Sequence, residues 1–505
     1  MSVLIKIGLK ELVIVFICII FAALFFVFAY QAYPVPGGDS EFFLVPALQF
    51  ANGKGLTTPL FPDEQAINLI DPSGAKRFLI YPPLYPLLLS RGMSGASPVD
   101  VFISIAVLNT LTMWLSAFVF YRAVKRERAM SWLDVLVVVF GLLALASGLV
   151  GGSGRPEILA SLWVVLGILV FFWAGKKYDW IWYGVLLGLM FSTHFIGGII
   201  ALLIVGATFA VGFGWRRALA RISAVLLTAA AAFCAVVAMG PFSVQETVVG
   251  TIKNALMVST GYAAQFSEWF TLSKFLHYYF LSPVTTFYGF VVVLLAAAGF
   301  FFLKNFKKQG GRFASPAFVS VCIFGLLCML GSMIYSVGHI FYLLAFAPLL
   351  FLGFIRYFSE GGAVPRIITV AVLALVATGF MRTVLLFPPF LEEGQSFYEV
   401  REAFGKVMRE YPGKDMRFGV TGSFWSLSED YHRMYLYDWP EGPKEGTASI
   451  FFQQRYSGML TPPEIPGCVL ANNQFSSAVP RLLGVKLGNT MPGYGYAVYD
   501  CRSPR

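Results

Sequence analysis

Apolar runs long enough to cross a membrane recur through the first 384 residues of this chain and limit the folds open to it. A transmembrane helix needs about 20 mostly apolar residues. Only 13% of the 505 residues are charged, whereas soluble globular chains carry about 25%. The pattern therefore predicts an α-helical polytopic membrane protein and excludes an ordinary soluble domain.

The runs predict about 11 transmembrane helices. Ser192, Thr193 and His194 interrupt the long run 180–213, which we therefore divide into two short helices. The first run is taken as a retained helix, because it is long for a signal peptide and no small-residue cleavage site follows it. The predicted spans are 11–31, 98–121, 132–150, 157–174, two within 180–213, 222–240, 283–303, 315–336, 339–357 and 366–384.

Basic clusters between the runs indicate the orientation. They are RAVKRER (122–128), GKK (175–177), WRRALAR (215–221) and KNFKKQGGR (304–312). Cytoplasmic loops carry an excess of Lys and Arg, so the net charge of +10 reports topology and gives no sign of a nucleic-acid partner. The N-terminus is predicted to be cytoplasmic, with loops 32–97 and 241–282 on the outer side.

The tail, 385–505, differs in composition and is predicted to form a small extracytoplasmic α/β domain after the transmembrane domain 1–384. Residues Phe397 to Tyr411 have helical spacing, and later segments alternate apolar and polar residues between turn residues, as short strands do. Cys468 and Cys501 lie in this tail. They can form a disulfide if the tail is outside the cytoplasm.

The first outer loop opens with PVPGGDSEFF, where Asp39 and Glu41 are the first acidic residues after Glu11. Asp39 either caps the helix that follows, as Asp often does, or takes part in chemistry. Glu41 either solvates the first turn of that helix or supports the same site. Lys54, in the NGKG breaker, is a candidate contact for a phosphate or a sugar.

Other candidate site residues lie at the predicted outer ends of helices. Arg155 and Glu157 flank Pro156 at the start of the run 157–174, where they form either a local ion pair or a functional site. Pro suits the first helical turn, and an acidic residue there favours the positive helix end. The other candidates are His194, His339 and Tyr342. Each histidine has either a packing role or a ligand role.

The order of GGDSEFF, YPPLYPLLL (Tyr81 to Leu89) and LGLMFSTHF resembles the C-type (GT-C) membrane glycosyltransferases that use polyprenyl-phosphate sugars. These include the protein O-mannosyltransferases and the lipid A aminoarabinose transferases. The resemblance implies that Asp39 is the catalytic carboxylate residue of the first loop and that Glu157 is near a second acidic site. It also implies that His339 and Tyr342 lie in the zone that contacts the lipid phosphate.

A sugar that leaves from a lipid phosphate needs no general acid, because the departing phosphate is already a stable anion. One base for the acceptor hydroxyl and donors for the phosphate are sufficient. Asp39 is our predicted base, with inversion at the sugar carbon. Arg155, His194, His339 and Lys54 are predicted phosphate or sugar contacts. Whether Asp39 and Glu157 also share a divalent metal stays open, since hard cations favour carboxylates but no complete ligand set accompanies them.

The expected partners are a polyprenyl-phosphate-linked sugar donor, membrane lipids and an acceptor in the cell envelope, which is a lipid, a glycan or a protein. The expected location is the bacterial inner membrane, with the chemistry at its outer face. The alternative is a transporter or flippase that moves lipid-linked sugars without cleaving them. That class favours an internal repeat and broken helices at mid-membrane. The sequence has no evident repeat, and its one such break is at Ser192 to His194.

Overall fold

The computed structural model describes helices in the N-terminal half of the chain and a sheet near its C-terminus. The residues it describes are 8–17, 19–20, 40–56, 68–69, 82–93, 98–127, 131–132, 156–173, 178–213, 215–240, 247–249, 345–346, 348–349, 397–411, 416, 418–420, 434–436, 448–455, 464–474, 477–478, 481–482, 485–486, 491–492 and 495–502. Among these, the main helices are α1 (Ser40–Ala51), α2 (Leu84–Arg91), α3 (Pro98–Glu127), α4 (Glu157–Trp173), α5 (Asp179–Thr193), α6 (Phe195–Phe213), α7 (Trp215–Ala238) and α8 (Phe397–Glu410).

The predicted break within 180–213 is confirmed at His194, which lies between α5 and α6 in an extended conformation (φ −153°, ψ 104°). In the last turn of α5, the hydroxyls of Ser192 and Thr193 donate to the carbonyls of Gly188 and Leu189, at 2.8 Å each. Such bonds to the carbonyl four residues earlier use the polar side chains locally and often accompany a bend. The helix therefore ends without exposing these hydroxyls.

Two predicted helix ends differ from the structure, and in both cases the basic cluster belongs to the helix. The segment 222–240 was predicted to start after WRRALAR, yet α7 already begins at Trp215. Likewise α3 continues to Glu127 instead of ending at 121. Arg and Lys are good helix formers whose long side chains reach the aqueous boundary. Arg221 also has a partner, because its Nη1 donates to Asp179 Oδ1 at 2.8 Å.

Among the described residues, α7 is long and apolar enough to cross a membrane. Two shorter apolar helices cover Glu157–Phe171 and Phe195–Ala210. The figure of about 11 crossings stays a prediction, because the predicted spans 283–303, 315–336 and 366–384 lie outside the described residues.

The cytoplasmic ends predicted for the first two spans lie against each other. Glu11 is 1% exposed, and its Oε1 accepts from Arg122 Nη1 at 2.6 Å and from Lys125 Nζ at 3.1 Å. The backbone N–H of Gly8 donates to its Oε2 at 2.7 Å. This contact places the start of the chain's first helical segment beside the C-terminal end of α3.

Nine described strands of the tail and one strand of the first loop form three sheets, of which the largest is a mixed sheet of six strands. The strands are β1 (Asn68–Leu69), β2 (Phe418–Val420), β3 (Met434–Leu436), β4 (Ile450–Arg455), β5 (Val469–Gln474), β6 (Ser477–Ala478), β7 (Arg481–Leu482), β8 (Val485–Lys486), β9 (Met491–Pro492) and β10 (Gly495–Asp500). The order in the sheet is β1-β3-β2-β4-β10-β5. Strand β2 is parallel to β3 and β4, whereas β10 is antiparallel to β4 and β5. A disulfide joins Cys468 and Cys501.

The first loop and the tail share one hydrophobic core. Strand β1 of the loop pairs with β3 of the tail, and the buried face of α1 packs in the same cluster as residues of α8, β2, β4 and β10. Within it the rings of Phe404 and Phe452 lie 4.4 Å apart between centroids. The division of the chain at 385 stays a prediction, but the packing of the tail includes the loop that follows Asp39.

Candidate functional site

The candidate site is built around α1, the helix that begins directly after Asp39. Asp39 itself lies outside the described residues, as do Arg155, His339 and Tyr342. Glu41 belongs to the first turn of α1. The structure therefore describes the helix that follows Asp39, and the role of Asp39 stays a prediction.

Apolar residues of α1 bury it against the rest of the protein. These residues are Phe43, Leu44, Val45, Ala47 and Leu48, each at most 2% exposed. Gly53 and Gly55 end the segment with positive φ values of 74° and 76°, a conformation that glycine adopts without strain. The predicted NGKG breaker is thus confirmed as the stop of this helix.

Lys54 lies at the opposite end of α1 from Asp39. Its backbone N–H donates to the Gln49 carbonyl at 3.0 Å, and its side chain is exposed. Because a helix rises about 1.5 Å per residue, the 12 residues of α1 separate its first residue, Ser40, from Lys54 by about 18 Å. The role of Lys54 stays a prediction.

Glu157 begins α4, as predicted from Pro156 and the acidic residue after it. Its carboxylate is 1% exposed and lies at the positive end of the helix, where an acidic group is favoured. Its charge acts on the buried hydroxyl of Tyr85. The two alternatives for Arg155 and Glu157 stay predictions, because Arg155 lies outside the described residues.

Tyr85 connects the first loop to the protein interior. Helix α2, which lies within the segment YPPLYPLLLS, is packed against the rest of the protein through its buried residues. The backbone N–H groups in the first turn of α2 have no partner within the helix. Pro86, which lacks an N–H, is therefore tolerated in this turn. The Tyr85 hydroxyl donates to Asn109 Oδ1 of α3 at 3.3 Å. Burial raises the pKa of Tyr85, and the charge of Glu157 raises it further.

His194 lies at the break between α5 and α6. Its Nδ1 accepts from the Gly197 N–H at 2.8 Å, so a neutral ring carries its proton on Nε2. The Trp163 indole N–H donates to the Thr193 hydroxyl at 2.9 Å. Trp163 follows Glu157 by six residues on α4, a distance of about 9 Å along the helix axis. The break, which Trp163 contacts, is therefore separated from Glu157 by about 9 Å along this axis.

An apolar cavity of about 100 Å³ begins at this break. Its walls come from α4, α5 and α6, together with Phe346 and Leu349. Trp163 and Met190, which contact the break, both line it. Almost all of its surface is hydrocarbon, so it suits an apolar ligand chain rather than a sugar or a phosphate.

The described residues supply no metal site. Within them, no three His, Cys, Asp or Glu side chains lie close enough to hold an ion. The predicted sharing of a divalent metal by Asp39 and Glu157 gains no support here, and no step of the reaction proposed below passes through a metal.

Sequence reasoning missed two residues of the protein interior, Tyr85 and Asn109. Tyr85 lies inside a motif quoted for its resemblance, but its hydroxyl was given no role. Asn109 is a lone amide within the predicted span 98–121. A polar side chain in a transmembrane segment is by default a functional candidate, and that signal was available.

Comparisons with known proteins give a limited result. No protein-family profile matches the chain, and no curated protein matches it. The fold is similar to the crystal structure of the Archaeoglobus fulgidus oligosaccharyltransferase complex with Zn and sulfate, with a TM-score of 0.46 and 14% sequence identity. The match covers 87% of this chain and 68% of that one. A similarity at this level establishes no family, so the functional argument rests on the residues of the chain itself.

Proposed function

We propose that this protein is an inverting membrane glycosyltransferase. It moves a sugar from a polyprenyl-phosphate donor to a lipid, glycan or protein acceptor of the cell envelope. One observation carries the proposal: the two motifs of the first loop pack against each other. Phe43, in the first turn after Asp39, lies edge-on to the ring of Tyr85 in YPPLYPLLL, with 5.6 Å between ring centroids.

The proposed base is Asp39. It accepts the proton of the acceptor hydroxyl while the hydroxyl oxygen attacks the anomeric carbon and the bond from that carbon to the phosphate oxygen breaks. The leaving polyprenyl phosphate departs as a stable anion and needs no proton from a general acid. A single displacement inverts the configuration at the sugar carbon. Arg155, His194, His339 and Tyr342 are proposed to contact the phosphate as cations or hydrogen-bond donors.

The part of the donor's lipid chain nearest the phosphate is proposed to occupy the apolar cavity between α4, α5 and α6, since a cavity of about 100 Å³ holds only a short part of a polyprenyl chain. Its wall is hydrocarbon, and its edge is the helix break that carries His194. A polyprenyl chain in the cavity would place its phosphate toward the outer ends of these helices, on the side of Glu157. The cavity thus supports a lipid-linked donor over a free nucleotide sugar.

The proposed location is the bacterial inner membrane, with the N-terminus in the cytoplasm and the tail outside. The disulfide between Cys468 and Cys501 supports an extracytoplasmic tail, because disulfides persist in oxidising compartments. The ion pairs of Glu11 with Arg122 and Lys125 support a common side for the basic end of α3 and the start of the chain.

The decisive experiment measures cleavage of the donor by the purified protein. We expect release of polyprenyl phosphate from a polyprenyl-phosphate sugar in the presence of membrane-extract acceptors, with a fall of about 100-fold or more for Asp39→Asn. Glu402→Gln, an exposed carboxylate of α8, is the matched control and keeps full turnover. Full turnover by Asp39→Asn contradicts the base assignment, and transport of an intact donor supports the transporter instead.

A further inference from the structure

Two buried polar side chains from two helices share a hydrogen bond, and the charge of a third buried side chain acts on one of them. Tyr85 of α2 and Asn109 of α3 share a hydrogen bond, and the charge of Glu157 on α4 acts on the same tyrosine hydroxyl. All three are at most 1% exposed. A buried polar group costs free energy unless it is paired, so a network at this depth favours one arrangement of its three helices.

The ring of Tyr85 extends this network to α1. Phe43 contacts it edge-on, with ring planes at 84°, and aromatic pairs prefer this arrangement. Phe43 is four residues, or about one turn, after Asp39. The hydroxyl end of Tyr85 is thus held by α3, while its ring contacts the first turn of the helix that follows the proposed base.

We propose that Tyr85 is a positioning residue that couples Asn109 and Glu157 to the segment carrying Asp39. Glu157 is then a positioning residue as well, rather than a group that touches the substrate. This inference rests on the proposed glycosyl transfer for its kinetic consequences, but the coupling between Tyr85 and α1 is a property of the fold. It concerns a tyrosine of the first-loop motif and an asparagine that the proposed reaction does not use.

A purely structural role for the hydrogen bond predicts a different outcome. In that case its loss lowers the stability of the whole protein and leaves the folded fraction fully active. A positioning role predicts that the folded protein binds its donor normally but reacts more slowly, because small displacements of a catalytic group are costly to the rate. The separation of kcat from KM therefore distinguishes the two roles.

The test uses Tyr85→Phe in the full-length protein, because this change removes the hydroxyl and keeps the ring against Phe43. We expect kcat for polyprenyl phosphate release to fall about tenfold, a typical upper effect for one hydrogen bond, with KM for the donor unchanged within twofold. Tyr121→Phe is the matched control, since Tyr121 is equally buried on α3 but lies beyond the network. It keeps the wild-type kcat.

A second kinetic test compares Glu157→Gln, Tyr85→Phe and the double variant. If the two residues act through one network, the double variant loses no more than about the larger single loss. Multiplying losses contradict the proposal. Asn109→Leu, which removes the amide from the same network, is the second variant should Tyr85→Phe fail to fold, and it is expected to lower kcat in the same way.

Hydrogen exchange gives a readout that does not depend on the reaction. In Tyr85→Phe we expect faster exchange in α1 (Ser40–Ala51) with unchanged exchange in α7, and Tyr121→Phe leaves α1 unchanged. Unaltered exchange in α1 overturns the coupling, whatever the activity. A wild-type protein that releases no polyprenyl phosphate overturns the proposed function instead, while the exchange measurement still decides the coupling.

Discussion

At the residue scale, a pair at the end of β10 illustrates how a partly exposed charge contributes to the tail. Arg502 Nε donates to Asp500 Oδ1 at 2.9 Å, and its guanidinium lies 4.4 Å from the centroid of the Tyr411 ring. The hydrogen bond from Arg502 holds the pKa of Asp500 below its ordinary value of 3.8. Arg502 thus connects the end of β10 to Tyr411, the residue after α8.

We predict that Asp500→Asn lowers the stability of the tail at pH 7 by about 0.5 kcal/mol, a small figure because the pair is partly exposed. A lowered folded pKa contributes stability above the ordinary pKa and loses it as the pH falls through the folded value. The difference from wild type is therefore expected to be largest at pH 7 and smaller at pH 2. Denaturant titrations at both pH values measure it, and a difference that is undiminished at pH 2 contradicts the assigned cause.

At the element scale, the packing of α5 on α7 depends on two glycines spaced as in the GxxxG motif of membrane helices. A Cβ on Gly184 would lie 2.4 Å from the Thr228 Cβ, and one on Gly188 would lie 2.5 Å from the Ala229 carbonyl oxygen. Backbone atoms cannot move aside as the end of a flexible side chain can. These two helices can therefore approach this closely only with glycine at both positions.

The corresponding prediction is that Gly188→Ala separates the helices and destabilises the protein by about 1–3 kcal/mol, the usual cost of overpacking. Gly206→Ala in α6 is the matched control, because its new Cβ meets only the end of Ile222 at 3.8 Å. The control is expected to be neutral or slightly stabilising, since Ala is the better helix former. Thermal unfolding of the detergent-solubilised variants measures both, and equal midpoints contradict the packing argument.

At the scale of the whole molecule, the sheet of the tail has two different faces. Strand β4 alternates, as strands do: Phe452 packs in the cluster that contains α1 and α8. Phe451, its neighbour, packs in a separate cluster with Tyr499, beside the disulfide cysteines. One face therefore supports the first loop, and the other is internal to the tail.

We predict that Phe452→Ala and Phe451→Ala destabilise the tail similarly, by about 3–5 kcal/mol for a buried Phe. Their effects on α1 are expected to differ. Only Phe452→Ala is expected to increase hydrogen exchange in α1, because only that side chain belongs to the shared core. Exchange in α1 that responds to both variants, or to neither, contradicts the two-face arrangement. The comparison is matched in residue type, strand and burial.

The site could be predicted from the sequence only in part. The helix after Asp39, its stop at Gly53 and the start of α4 at Glu157 follow from local signals that act over one turn. The contacts of Tyr85 with Phe43 and Asn109 join residues far apart in the chain. No local propensity specifies such contacts, because they form only when several helices pack together.

Local signals in the sequence are sufficient to predict the predominance of apolar helices, the break at Ser192 to His194, the stop after α1 and the helix and strands of the tail. Each depends on hydrophobic periodicity or turn chemistry within a few residues. The burial of Glu157, the hydrogen bond between Tyr85 and Asn109 and the pairing of β1 with β3 of the tail became visible only in the folded protein. These features depend on which distant surfaces exclude water together, and that choice is made by the packing of the whole chain.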